Sequence, residues 1–304
     1  EGYVKQEPTE QTITIAVENN VINFYYTKRN DLSYTVKYLE SDSTLDNTDD
    51  NKVLHEERVV TNQEFNKLIN SEDEVISIDG YNYAYCIPDQ INLGINNDEN
   101  VIAIFYTKVT GLRYEVNYLE KDTNEIIAPK YTCGDMTFGD TVTSSDEVID
   151  IDGYNYDSAD KELLTITTGN NVINIYYTKR NDLSYTVNYL EKDTNKVLNI
   201  AKIVTNQTYQ ATVTEQAINI EGYVKQEPTE QTITISVENN TINFYYTKRN
   251  DLSYTVNYLE KDTENVLKVA KNVNEQTYQS IVTEQAVDIE GYVKQEPTEQ
   301  TITI

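Results

Sequence analysis

Leu32-Ser33-Tyr34-Thr35-Val36-Lys37-Tyr38-Leu39-Glu40 is the stretch that decides the fold. Tyr34, Val36 and Tyr38 alternate with Thr35 and Lys37, the two-residue period of a strand with one buried face. The same phrase begins again at Leu183 and Leu252, with a variant at Leu112, so the starts lie 80, 71 and 69 residues apart. A second landmark recurs between these starts as Asp79-Gly80-Tyr81, Asp152-Gly153-Tyr154, Glu221-Gly222-Tyr223 and Glu290-Gly291-Tyr292. A third, Ile22-Asn23-Phe24-Tyr25-Tyr26-Thr27-Lys28, returns over 102–108, 173–179 and 242–248. Three ordered landmarks in register across the chain are the signature of tandem repeats.

Working outward from these landmarks divides the chain. Residues 1–31 read as the C-terminal part of a preceding repeat. Repeats one, two and three occupy 32–110, 111–181 and 182–250, and 251–304 is a fourth, truncated before its closing strand. Residues 1–15 and 290–304 are identical, so the chain reads as a window onto a longer array. The joint Thr178-Lys179-Arg180-Asn181-Asp182 has neither Pro nor Gly and gives little slack, so repeats are expected end to end in an elongated rod.

Within a repeat, a turn at Asp193-Thr194-Asn195 leads to a second strand near Val197 to Val204. Phe65/Leu68/Ile69, echoed by Tyr209/Thr212/Val213 and Tyr278/Ile281/Val282, has the i, i+3, i+4 spacing of a short helix. Thr232 to Ile235 and Ile242 to Tyr246 flank Glu238-Asn239-Asn240 and read as a hairpin, with Ile242, Phe244 and Tyr246 facing inward. Strand, strand, short helix, strand, strand predicts a β-rich α+β fold, a tandem array of small β-grasp-like (ubiquitin-like) modules.

Lys and Arg number 24 against 51 Asp and Glu, a net charge of −27. Such an acidic balance disfavours nucleic acid and anionic membrane surfaces, because a polyanion must be neutralised by Lys or Arg, so no nucleic-acid partner is expected. No apolar run of about 18 residues is present to insert into a membrane. Tyr is abundant at 26 residues, with no Trp. The two cysteines, Cys86 and Cys133, lie in different repeats and have no counterparts in the others, so no disulfide framework accompanies the repeat.

The opening Tyr185-Thr-Val-Asn-Tyr-Leu-Glu-Lys-Asp-Thr194, the mid-repeat Glu-Gly-Tyr and the closing Ile-Asn-x-Tyr-Tyr resemble the mucin-binding protein (MucBP) repeat of Gram-positive bacterial surface proteins. The resemblance covers essentially the whole chain. It implies a β-grasp-like fold, an extracellular place on the bacterial cell surface or cell wall, and adhesion to host mucin or other glycans. The function expected is therefore a structural stalk and adhesin. The alternative is a self-assembling extracellular filament, in which neighbouring copies donate the closing strand head to tail.

Catalysis finds no constellation. His55 is the only histidine and is Asn199 in repeat three, while Glu191 and Asp193 fall at a hairpin turn. The chain is therefore read as no enzyme, with no required cofactor. Ca²⁺ is the one metal considered. An acidic insertion at 41–51 in repeat one brings Asp42, Asp46, Asp49 and Asp50, oxygen ligands of the kind Ca²⁺ takes, without EF-hand spacing. Among the tyrosines, Tyr34, Tyr38 and Tyr26 fall on the core face, whereas Tyr25, Tyr176 and Tyr245 fall on the opposite face as candidates for stacking on sugars. Lys202 and Lys271 recur at one position, but Arg58 takes it in repeat one, which argues against an obligatory Lys–Asn cross-link.

Overall fold

The computed structural model describes residues 1–41 and 52–304. By Cα proximity the chain forms two compact units, residues 1–149 with 157–176, and residues 150–156 with 177–304.

Repeat three, in the second unit, shows how the sequence builds the module. Its first strand, Leu183–Glu191, pairs antiparallel with the second, Val197–Gln207. Asp193 and Asn195 in the turn take φ of 68° and 55°, the left-handed region that Asp and Asn enter more readily than other side-chain-bearing residues. The chain then alternates between two layers: third strand Thr212–Gln216, fourth Tyr223–Lys225, fifth Glu230–Thr234 and sixth Thr241–Lys248. Second, first, sixth and fourth strands lie side by side in one sheet, while third and fifth form a two-stranded ribbon. The sixth strand runs parallel to the first, and the other pairings are antiparallel.

The alternation in the first strand turns Tyr185, Val187 and Tyr189 inward, where they meet Ile242, Phe244 and Tyr246 of the sixth. Val213 and Ile233 cover this face from the ribbon. Burying such side chains contributes on the order of 1.5–3 kcal/mol each. In the first unit, repeat one has the same order, with a sheet of Val53–Gln63, Leu32–Glu40, Val101–Lys108 and Tyr81–Ile87 and a ribbon of Leu68–Asn70 and Gln90–Asn92. Repeat two follows it as well.

The α+β, β-grasp-like expectation is overturned. The described residues contain no α-helix, only short 3-10 turns at Ser71–Glu74, Asn97–Glu99 and Ser144–Glu147, and the fold is all-β with two sandwich-like layers. The expected helix is the third strand. Thr212, Val213 and Thr214 are β-branched and favour extended backbone, and their exposure alternates, with Val213 and Glu215 turned inward. The helical spacing arose because both residues pack on the core of their repeat, Val213 from the ribbon and Tyr209 with its ring also over the glycine of the preceding repeat.

The expected hairpin before the sixth strand is also absent, because its two arms belong to different layers. Asn239 does take a left-handed φ of 62°. The crossing is held by Asn240, whose Oδ1 accepts from the Ser236 N–H at 2.8 Å and whose Nδ2 donates to Ser236 O at 2.8 Å and Ser184 O at 3.1 Å.

Candidate functional site: the joint between repeats

The feature that recurs at every junction is a glycine of one repeat covered by an aromatic ring of the next. Tyr209 sits on Gly153 and Tyr278 on Gly222 in the second unit, and Phe65 on Gly2 and Phe138 on Gly80 in the first. Gly153 and Gly222 have φ of 82° and 76°, and a Cβ on either would overlap the ring. Glycine is required there twice over, for the backbone angle and for the close approach.

The ring also meets the tyrosine after the glycine edge to face. Tyr3–Phe65, Tyr81–Phe138 and Tyr154–Tyr209 have centroids 5.6 Å apart, and Tyr223–Tyr278 5.7 Å. Edge-to-face pairs of this kind contribute about 0.5–1.5 kcal/mol beyond the area they bury. Two main-chain hydrogen bonds complete each joint. The N–H of Arg29, Val109, Arg180 or Arg249 donates to the glycine carbonyl at 2.9 Å, and that residue's own carbonyl accepts from the aromatic residue's N–H at 2.8–2.9 Å. Arg29, Arg180 and Arg249 also fork onto Asp31, Asp182 and Asp251 two residues on. At the junction of repeats one and two, Thr168 Oγ1 donates to Asp79 Oδ1 at 2.7 Å.

A second recurring cluster lies inside the repeat. Tyr185 Oη donates to Glu215 Oε1 at 2.6 Å, and Lys202 Nζ reaches the same oxygen at 2.6 Å. Tyr254, Glu284 and Lys271 repeat the arrangement at 2.6 and 2.7 Å. Tyr34 donates to Glu74 at 2.7 Å with Arg58 paired to it, and Tyr114 donates to Glu147 at 2.7 Å. Burial, then the Glu215 carboxylate, pushes the Tyr185 phenol up to about 12. Burial works to raise Glu215, yet Lys202 and Tyr185 hold its carboxyl below the usual range. The recurring lysines thus form ion pairs with glutamates.

The candidate aromatics are not equivalent. Tyr25 is 67% exposed and Tyr245 38% exposed, while Tyr176 is half-buried. Their counterpart Phe105 is only 3% exposed and stacks against Tyr85 at 4.7 Å. Around Tyr245 the outer sheet face exposes Val197, opposite the Leu190 that pairs with Tyr245, and on the other side Val224, opposite Thr247. Tyr26, expected in a core, is exposed, since no first strand lies beside residues 21–28 among the described residues.

Asp42, Asp46, Asp49 and Asp50 lie outside the described residues. Among the described residues no group of three or more His, Cys, Asp or Glu is arranged to hold a metal, and no helix is long and apolar enough to cross a membrane. Cys86 is buried and Cys133 partly so, both as free thiols. His55 meets Tyr38 edge to face at 5.5 Å. The helical spacing puts Phe65, Tyr209 and Tyr278 inside their own repeat, and the joint expected at Thr178 to Asp182 lacks its glycine–ring contact; the signal for it is an aromatic recurring in all four copies alongside a recurring glycine.

No family model matches the chain, and no curated protein does. Among solved structures it is similar to a type 2 repeat of the mucus binding protein MUB from Lactobacillus reuteri, at 12% identity and a TM-score of 0.17, with 45% of this chain and 99% of that one covered. It is also similar to the Bacillus anthracis TIE protein, at 16% and 0.28, with 67% and 49% covered. A streptococcal ancillary pilin is similar at 10% and 0.20, with 72% and 99% covered.

Proposed function

We propose that this chain is a run of non-catalytic repeats from an extracellular bacterial surface protein, a structural stalk with adhesive capacity. The observation that carries the stalk is the joint: four junctions use one glycine, one aromatic ring and one pair of main-chain bonds. A connection that is the same at each junction lets length grow by adding copies, with each repeat bonded to its neighbours. The MucBP-like motifs support the cell-surface setting and host mucin or another glycan as ligand. Tyr25, Tyr176 and Tyr245 are the rings offered for stacking, and weak single sites would sum by avidity.

Two measurements test this. Calorimetric unfolding of the chain should show repeats melting together, and Gly153→Val or Gly222→Val should split the transition. An unchanged transition removes the joint as the coupling element. Retention of the chain on immobilised mucin should fall several-fold in the Tyr25→Ala/Tyr176→Ala/Tyr245→Ala variant. Equal retention moves the adhesive surface elsewhere, and no retention of the parent chain leaves the stalk alone. Calcium titration by calorimetry, with Asp49→Asn/Asp50→Asn as control, reports whether the acidic insertion takes the ion.

A further inference from the structure

In repeats one and three, the strand by which the chain enters and the strand by which it leaves are parallel neighbours in the middle of the sheet. In repeat three they are matched residue by residue from Thr186 and Thr241 to Glu191 and Tyr246. Repeat one has the same ladder, from Thr35 and Val101 to Glu40 and Tyr106. Main-chain bonds extend both ends of it. Thr186 N–H donates to Asn240 O at 2.9 Å and Lys192 N–H to Tyr246 O at 2.8 Å, matched in repeat one by Thr35 to Asn100 at 2.9 Å and Ser41 to Tyr106 at 2.7 Å. On the outer face Asn188 Nδ2 donates across the pair to Asn243 Oδ1 at 2.9 Å, and Asn117 does the same to Asn174 in repeat two.

Tension on the chain draws the entry strand toward its N-terminus and the exit strand toward its C-terminus. In a parallel pair these two points lie at opposite ends of the ladder, so the pull runs along it. All of its bonds are then loaded together and must fail together. Antiparallel terminal neighbours would be pulled from one end and would part bond by bond. Forced unfolding is governed by the unfolding rate, and breaking the whole ladder at once leaves many buried main-chain groups unpaired in a single step.

We propose that each complete repeat is a mechanical clamp, whose central parallel pair resists tension in shear. Its biological setting rests on the stalk reading, but the mechanical property belongs to the repeat itself. Low force would therefore sink the clamp while leaving the calorimetric and mucin tests untouched.

The full 304-residue chain held by its two ends in single-molecule force spectroscopy tests it. Repeats one to three should give three high-force ruptures. Repeat three, whose start lies 69 residues before the next, should release roughly 250 Å of chain at about 3.6 Å per residue. Residues 252–304, which lack the parallel partner, should yield at much lower force. A second attachment, through Lys192→Cys and Thr247→Cys in a Cys86→Ser/Cys133→Ser chain, grips neighbouring points at one end of the ladder. Pulling there should open repeat three at several-fold lower force. Equal forces in the two geometries, or end-pulled repeats no stronger than residues 252–304, overturn the proposal.

Discussion

Gly153 and Gly222 tie backbone angle, ring contact and hydrogen bond together at single residues. A left-handed angle costs a side-chain-bearing residue about 1–2 kcal/mol, and forcing the ring aside adds about 1–3 kcal/mol. Gly222→Ala should therefore lower the stability of the flanking repeats by a few kcal/mol, read by denaturant unfolding. Tyr278→Phe should be nearly neutral, because the contact is made by the ring. Glu215 makes a separate, pH-dependent contribution. Its folded-state pKa is held below the ordinary carboxylate value, so its stabilisation is complete above about pH 4.3, the unfolded value, and is lost as pH falls through the folded one. Melting temperature should drop on acidification through that window, and Glu215→Gln should flatten the drop; an unchanged slope would remove the Tyr185–Glu215–Lys202 cluster as its source.

Elements show how far context decides. Glu-Gly-Tyr-Val-Lys-Gln-Glu-Pro-Thr-Glu-Gln-Thr-Ile-Thr-Ile occurs at 1–15, 221–235 and 290–304. Its Glu-Gln-Thr-Ile-Thr segment is a strand at Glu230–Thr234 and Glu299–Thr303, where a third strand, Thr212–Gln216 or Ile281–Gln285, lies alongside. At 10–14 no such partner exists among the described residues and the segment is not a strand. The sixth strand behaves alike: Phe244 is 0% exposed between the first strand and the ribbon, while Phe24 in the same phrase is 48% exposed. Phe244→Ala should cost about 3–5 kcal/mol and Phe24→Ala should stay within about 0.5 kcal/mol. Amide exchange resolved along the chain separates the two, and comparable losses would contradict the sixth strand's role in closing the core.

Across the molecule, charge and the joint set the behaviour. At −27 the chain repels itself, and its many surface ion pairs are individually worth little. Screening the repulsion should outweigh weakening the pairs, so moderate NaCl should raise the melting temperature. A fall would mean that the ion pairs, Lys202–Glu215 and Lys271–Glu284 among them, dominate. At each of the four junctions an aromatic ring of one repeat lies on the glycine of the one before, and the calorimetric transition is where any coupling between repeats is read.

The repeats, the strand character of the Leu-Ser-Tyr-Thr-Val phrase, and the inward set Tyr34, Val36, Tyr38, Ile242, Phe244 and Tyr246 are legible in the residues alone. Those follow from local period and recurrence, which need no knowledge of partners. The tertiary structure alone decided that Thr212 to Gln216 is a strand, that the arms around Asn239 part into two layers, and that Tyr209 serves the joint. Pairing partners and docking surfaces lie far away in sequence. Identical residues therefore take different structures according to what the rest of the chain places beside them.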